Sequence, residues 1–204
     1  MTVSFPSPQG LPQATSSIVD VLLADEEIED VGALTGTQVP EWLHHLDTPQ
    51  GWQLVELSDT PNVPLARMAV YGPRDDGGWE AAETISVFGY TGWPMFYEIF
   101  RSTAGTLRTL GAAGIVTKVL PVPQKQWTVG VRSSGTALIG SRDAWAQQSN
   151  YAAGSEQPHA GRLIVHSIFA EATSRPQLAE DITRLSDAVY RGFVATLGNE
   201  NRTG

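Results

Sequence analysis

The 204-residue sequence predicts an α+β fold, an α/β/α sandwich on a mostly antiparallel sheet. Three observations predict it. Short segments rich in β-branched and aromatic residues, bounded by Pro, Gly and Asp, recur from residue 52 onward. Two amphipathic helical stripes interrupt and end this series. The connections between the strand-like segments are short, as antiparallel neighbours allow. Helices packed on both faces of such a sheet make an economical layer arrangement.

In chain order, residues 1–16, with Pro6, Pro8, Gly10 and Pro12, are expected to form a flexible arm. Residues 17–47 read as an acidic helical segment packed on or tethered to the main domain. Ser17 and Asp20 have capping-box spacing, Ile18, Val21 and Leu22 share a face, and Pro40 can open another turn through Leu46. Residues 48–198 read as a single α+β domain. Its strands are expected at Trp52–Leu57, Leu65–Tyr71 and Thr84–Tyr90, with Asp75-Asp76-Gly77-Gly78 as a turn. Pro94 then opens a helix with Phe96, Ile99, Phe100, Thr103, Leu107 and Leu110 on one stripe. Further strands follow at Ile115–Val122, Trp127–Ser133, Thr136–Ile139, Ala144–Tyr151 and Leu163–Ala170. The last helix, 176–197, carries Leu178, Ile182, Leu185, Val189 and Phe193 at three-to-four-residue spacing, with Ser174 and Gln177 as its capping box. Residues 199–204 are expected to be a flexible tail.

The formal net charge is -9, and it is unevenly placed. No Lys or Arg precedes Arg67, whereas ten of the 22 acidic residues do. Such a segment cannot neutralise phosphates, so nucleic acid and anionic membrane surfaces are excluded as its partners. There is no apolar run of spanning length. Residues 1–17 have neither the basic n-region nor the apolar h-region of a leader, so a cytoplasmic location is expected. The absence of cysteine excludes thiolate catalysis, disulfides and Cys-ligated metal.

Chemical motifs are sparse. His44-His45 with Asp47 brings metal-type ligands together, but adjacent helical positions do not converge on one ion, so no metal and no cofactor are expected. His159 and His166 lack a Gly-x-Ser-x-Gly elbow to serve, and phosphate-binding glycine loops are absent. Glu80 and Glu83 can share a face, without a sign of matched acid and base roles. Six tryptophans stand out, and Trp79 and Trp93 fall in connecting segments. With Tyr90, Tyr97 and the loop holding His159, they either line a binding surface or complete the core. Glu26, Glu27, Glu29 and Asp30 offer a docking surface for a basic protein partner, or simply a solvated face.

The sequence resembles the actinobacterial LpqN lipoprotein family, whose fold is similar to that of the photosystem protein PsbP. The resemblance is carried by Pro49-Gln50-Gly51-Trp52 opening the first strand and by the Met68–Gly72 strand ending in Gly72-Pro73. A helix after the third strand, a strand pair around Gly135–Tyr151 and the long final helix also carry it. It spans residues 40–198 and implies a PsbP-like α/β/α sandwich, with no catalytic residues to transfer. The family's lipobox cysteine has no counterpart here. Together these readings lead to a non-enzymatic binding or adaptor protein that recognises a protein or peptide. The alternatives are a lipid or metabolite carrier with its pocket under the Pro94–Leu110 helix, a Ser/His hydrolase using His166, and a homodimer.

Overall fold

The computed structural model describes residues 16–57, 64–74, 78–123 and 127–199. The expected arm up to residue 15, Asp75-Asp76-Gly77 of the expected turn and the tail beyond residue 199 lie outside the described residues. Eight strands form one sheet: β1 (Ile28–Ala33), β2 (Trp52–Leu54), β3 (Arg67–Pro73), β4 (Trp79–Gly92), β5 (Ala113–Val119), β6 (Thr128–Ile139), β7 (Arg142–Ala153) and β8 (Gly161–Glu171). The helices are α1 (Ser16–Ala24), α2 (Glu41–His44), α3 (Phe96–Ser102), α4 (Gly105–Thr109) and α5 (Ala179–Asn199). The strand order is β2-β3-β4-β8-β7-β6-β5, and every pairing is antiparallel. The 14-residue β4 organises this sheet. One of its edges pairs with β8 from Ala81 to Tyr90. The other is shared end to end by β3, opposite Trp79–Ile85, and β1, opposite Phe88–Gly92.

Alternate residues along a strand face opposite ways, and the two faces carry different helices. On one, Ile85, Val87, Ile164 and Tyr151 pack against Val189, Phe193 and Leu197 of α5 and Leu43 of α2. On the other, Phe88, Tyr90, Leu163 and Val165 pack against Ile18 and Leu22 of α1 and Ile99 of α3. Leu107 of α4 extends that layer over Ala146 and Phe169. The expected α/β/α sandwich is therefore present. No helix of the described residues is long and apolar enough to cross a membrane.

The structure corrects several expected elements. The acidic segment 17–47 is not helical throughout, because Ile28–Ala33 is a strand on β4. A bulge between Glu29 and Gly32, with Asp30 at φ 57°, puts Ile28 and Val31 against the same core cluster. Apolar residues three apart then imitate a helical period. The single helix expected from Pro94 is two short ones. The Ser102 and Thr103 hydroxyls both donate to the Ile99 carbonyl, and α3 stops before Ala104. The two strands expected either side of Gly135 are one strand, β6; Gly135 lies where Ala113 O passes 3.0 Å from the place of a β-carbon. Ser174 does not serve the expected capping box, since its hydroxyl donates to Glu80 across 2.7 Å and α5 begins at Ala179.

Charge is buried in the middle of the sheet. Arg67 of β3, Glu83 of β4 and His166 of β8 are almost wholly enclosed beneath the α2–α5 layer. Arg67 Nε donates to Glu83 across 3.2 Å, and His166 Nε2 lies 3.0 Å from the other carboxylate oxygen. The remaining Arg67 nitrogens donate to Leu46 O and Thr48 Oγ1, both at 3.0 Å, and so fix the connection after α2. Burial opposes ionisation of Glu83, but the hydrogen bond and charge of His166, followed by those of Arg67, outweigh it and hold the carboxyl below its usual range.

A group whose folded pKa is depressed contributes its full stability above its unfolded pKa, about 4.3 for Glu, and loses it as pH falls through the folded value. Glu83→Gln is expected to be less stable than the wild type at pH 7 by about 3 kcal/mol, because it leaves Arg67 buried without its counter-charge. Thermal melts of both proteins between pH 7 and pH 3 should show that gap closing below about pH 4.3. A gap of constant size would mean that the carboxylate charge is not what stabilises. A second variant tests the helix packing. A β-carbon on Gly192 of α5 would lie 2.2 Å from Cε3 of Trp42. Gly192→Ala should therefore lower stability by about 1–3 kcal/mol despite the better helix propensity of Ala, seen as a fall in Tm.

Candidate binding surface

The C-terminal end of β4 gathers several separate parts of the chain. Ile28 and Glu29 of β1 pair with Gly92 and Thr91 on one side. On the other, Gly92 and Ser155 exchange main-chain hydrogen bonds of 2.8 and 3.0 Å, which brings in the β7–β8 loop. In that loop the His159 N–H donates to Thr91 Oγ1 across 2.9 Å, and His159 Nε2 lies 3.9 Å from Asp30 Oδ2, both side chains being exposed. Asp30 and His159 each have positive φ, 57° and 55°. Sequence positions 129 residues apart thus meet at one rim of the sheet.

Immediately after Gly92 the aromatic residues begin. Trp93 lies against Trp127, ring centroids 5.8 Å apart and planes at 35°, and the Gly154 N–H donates to Trp127 O. Phe96 and Phe100, one helical turn apart on α3, stack at 6.2 Å. Met95, Phe96, Tyr97 and Phe100 are all exposed, Tyr97 to 65%, while Ile99 is the α3 side chain that enters the core. α3 therefore presents more apolar surface to solvent than to the sheet. Trp127 is itself 46% exposed. Neighbouring apolar side chains left in water in this way mark interaction surfaces more often than scattered ones do.

The expected site residues divide. Trp93, Tyr97, His159, Glu27, Glu29 and Asp30 fall at this rim or on α3, and Glu26 is exposed just before β1. Tyr90 lies beneath rather than on it: it is fully buried, its hydroxyl donates to Ala153 O at 2.8 Å, and burial pushes its phenol up. Trp79 is elsewhere, at the start of β4 about 36 Å from Tyr90 for a strand, packed with Met68, Val70 and Ala82. Sequence reasoning missed Phe96 and Phe100, which it assigned to the core stripe, and Trp127, which it placed in a strand. The adjoining Pro94-Met95-Phe96-Tyr97 run, with three large apolar residues in succession, is the signal that no amphipathic helix buries them all.

The other candidate chemistry lies elsewhere. His166 is fully buried against Glu83. His44 and His45 are exposed, and His45 Nε2 sits 3.8 Å from Glu41. Under α3 and α4 the sheet carries buried Ser86, Ser133, Gln148, Asn150 and Ser167, with Gln148 Nε2 donating to Asn150 Oδ1 across 3.1 Å.

No family model and no curated protein matches the sequence. Among solved structures the chain is similar to LpqN of Mycobacterium tuberculosis, a protein involved in cell envelope biogenesis, at 14% identity and a TM-score of 0.62. The match covers 84% of this chain and 94% of LpqN. The chain therefore has an LpqN-like fold.

Proposed function

We propose that this chain is a non-enzymatic binding protein that docks a segment of a partner protein on α3 and the adjoining rim of β4. The observation that supports it best is the exposed aromatic group Phe96, Tyr97, Phe100 and Trp127, with the half-buried Trp93 against Trp127. The surrounding charge specifies the occupant. Exposed Asp20, Glu26, Glu27, Glu29, Asp30 and Glu156 border this region on α1, β1 and the β7–β8 loop. Of the local cations, Arg162 donates to the carbonyls of His159 and Gly161, and Arg101 projects from the far end of α3. An apolar segment carrying Lys or Arg satisfies both features: wide rings give contact area at low entropic cost, and the carboxylates steer a basic approach. The burial of His166 away from solvent favours a structural role for it over a hydrolytic one. The LpqN-like fold is compatible with this reading, since LpqN is involved in cell envelope biogenesis.

Tryptophan emission provides the test, with an amphipathic Leu/Lys peptide as probe and its Leu/Glu counterpart as control. The Leu/Lys peptide should quench emission saturably, more weakly at high salt, and the Leu/Glu peptide should not. Trp127→Ala and the double variant Phe96→Ser, Tyr97→Ser should each weaken binding by about 2 kcal/mol, roughly thirtyfold. The substituted side chains are exposed, so melting temperatures should stay near wild type. Equal binding of both peptides, or no binding, overturns the proposal. So does a self-association in sedimentation that the same variants abolish, because a second copy would then be the occupant.

A further inference from the structure

We propose a second binding site, for a small organic anion, in a groove on the opposite face of the sheet from α3. The groove encloses about 230 Å³ and is lined by Val116 and Lys118 of β5, Arg132 and Ser134 of β6, and Trp145 and Gln147 of β7. Arg175, in the segment leading to α5, closes it. The strand register places these side chains in two adjacent rows, because Lys118 pairs with Arg132, and Val116 with Ser134, which pairs with Gln147.

The positive charges in this groove are not balanced by a described ion pair. Lys118 and Arg132 are direct cross-strand neighbours, and like charges so placed destabilise a sheet. Among the described residues no carboxylate forms an ion pair with Lys118, Arg132 or Arg175, although the protein has 22 acidic residues. Four other arginines are neutralised: Arg67 by Glu83, Arg74 and Arg142 by Glu171, and Arg184 by Glu180. These three cations, none of them ion-paired to a described carboxylate, converge on one depression. The carboxylate on the neighbouring turn of α5, Asp187, acts electrostatically on Tyr151 but makes no ion pair with them.

The groove is also built to hold its cations in place. Arg132 Nε donates to Ser149 Oγ across 2.8 Å and Nη2 to the Tyr151 hydroxyl across 3.4 Å, so its guanidinium is oriented from below by buried residues. The Arg175 guanidinium lies 4.5 Å over the Trp145 ring. Gln147 donates to Ser186 of α5 across 2.8 Å, which fixes its amide at the floor. Two oriented guanidinium groups and an ammonium suit a carboxylate or phosphate group, and Val116 and Trp145 offer apolar surface to the body that bears it. The volume suits a small metabolite, since sites for drug-sized ligands run to roughly 300 Å³ and above. This inference is independent of the partner surface on α3 and uses none of its residues.

The experiment is a calorimetric titration of the full chain with benzoate, phenyl phosphate and neutral benzamide at fixed ionic strength. Saturable binding of at least one anion, and none of benzamide, is expected; the tighter anion identifies carboxylate or phosphate as the preferred group. Lys118→Gln with Arg175→Gln, both exposed positions, should weaken binding at least tenfold without lowering Tm. Lys118→Glu should abolish binding and raise Tm, because it pairs with Arg132 and removes the repulsion. No saturable anion binding overturns the site, as does binding that survives Lys118→Glu or a fall in Tm in that variant.

Discussion

The structure depends on the buried contact of Glu83 with Arg67 and His166. It joins three adjacent strands at one level, and Arg67 reaches on to Leu46 O and Thr48 on the connection before β2. Arg67 is also the first cation of the chain. The acidic third is therefore tied to the body by the first positive charge that follows it, through a carbonyl and a hydroxyl rather than through its own carboxylates. Because strand side chains alternate, a slip of one residue in β4 would carry Glu83 to the α3 face and leave Arg67 and His166 buried beneath α5 without their carboxylate. The network thus fixes the register, and the register runs without interruption from Ala81 opposite Ala170 to Tyr90 opposite Gly161. That is how a contact in the middle of β4 sets the geometry of the rim where β1, the His159 loop and Trp93 meet.

The sequence made the period of each long element legible and left the ends and exceptions obscure. α5 was readable because one stripe, Leu178 to Phe193, is buried along its whole length. β8 was readable because its apolar and β-branched residues form a run that opens at Gly161, and β7 because Gly140 and Gly154 bound it. β1 was not, because its bulge gives two inward residues a spacing of three, and the two side chains between them, Glu29 and Asp30, are acidic. The break between α3 and α4 depends on two hydroxyls turning back to one carbonyl, a choice that residue type permits without dictating. Of the candidate site, the loop position of Trp93 and the exposed acidic run were legible. Trp127 was not, since its contact with Trp93 joins residues 34 apart through a positive φ of 66° that no residue type announces.

The arrangement of charge follows from the same topology. Formal acidity in the first third and near-neutrality afterwards look like a division along the chain, but folding converts it into a division between surfaces. β1 brings Glu29 and Asp30 to the rim beside α3. Some cations of the second part neutralise carboxylates, and Lys118, Arg132 and Arg175 collect on the α5 side. A mean charge thus conceals two surfaces of opposite sign.

Coverage of the sheet explains why the second of these surfaces exists. Seven strands side by side span about 29 Å, whereas one helix with its side chains covers only about 10–12 Å. On one face α1, α3 and α4 share the task, and even the far strands meet apolar partners, Val129 and Val131 against Ile18 and Ile99 and Ile115 against Leu107. On the other, α5 and the short α2 lie over β4, β8 and β7, and beyond them β5 and β6 have no helix to meet. Side chains there must tolerate water, which accounts for Lys118, Arg132 and Ser134 being polar. It does not account for two of them being cations placed opposite each other, because any mixture of polar residues would tolerate water equally well. The width of the sheet makes the groove available; the sign of its charge is a separate choice, and an anionic occupant supplies the missing counter-charge.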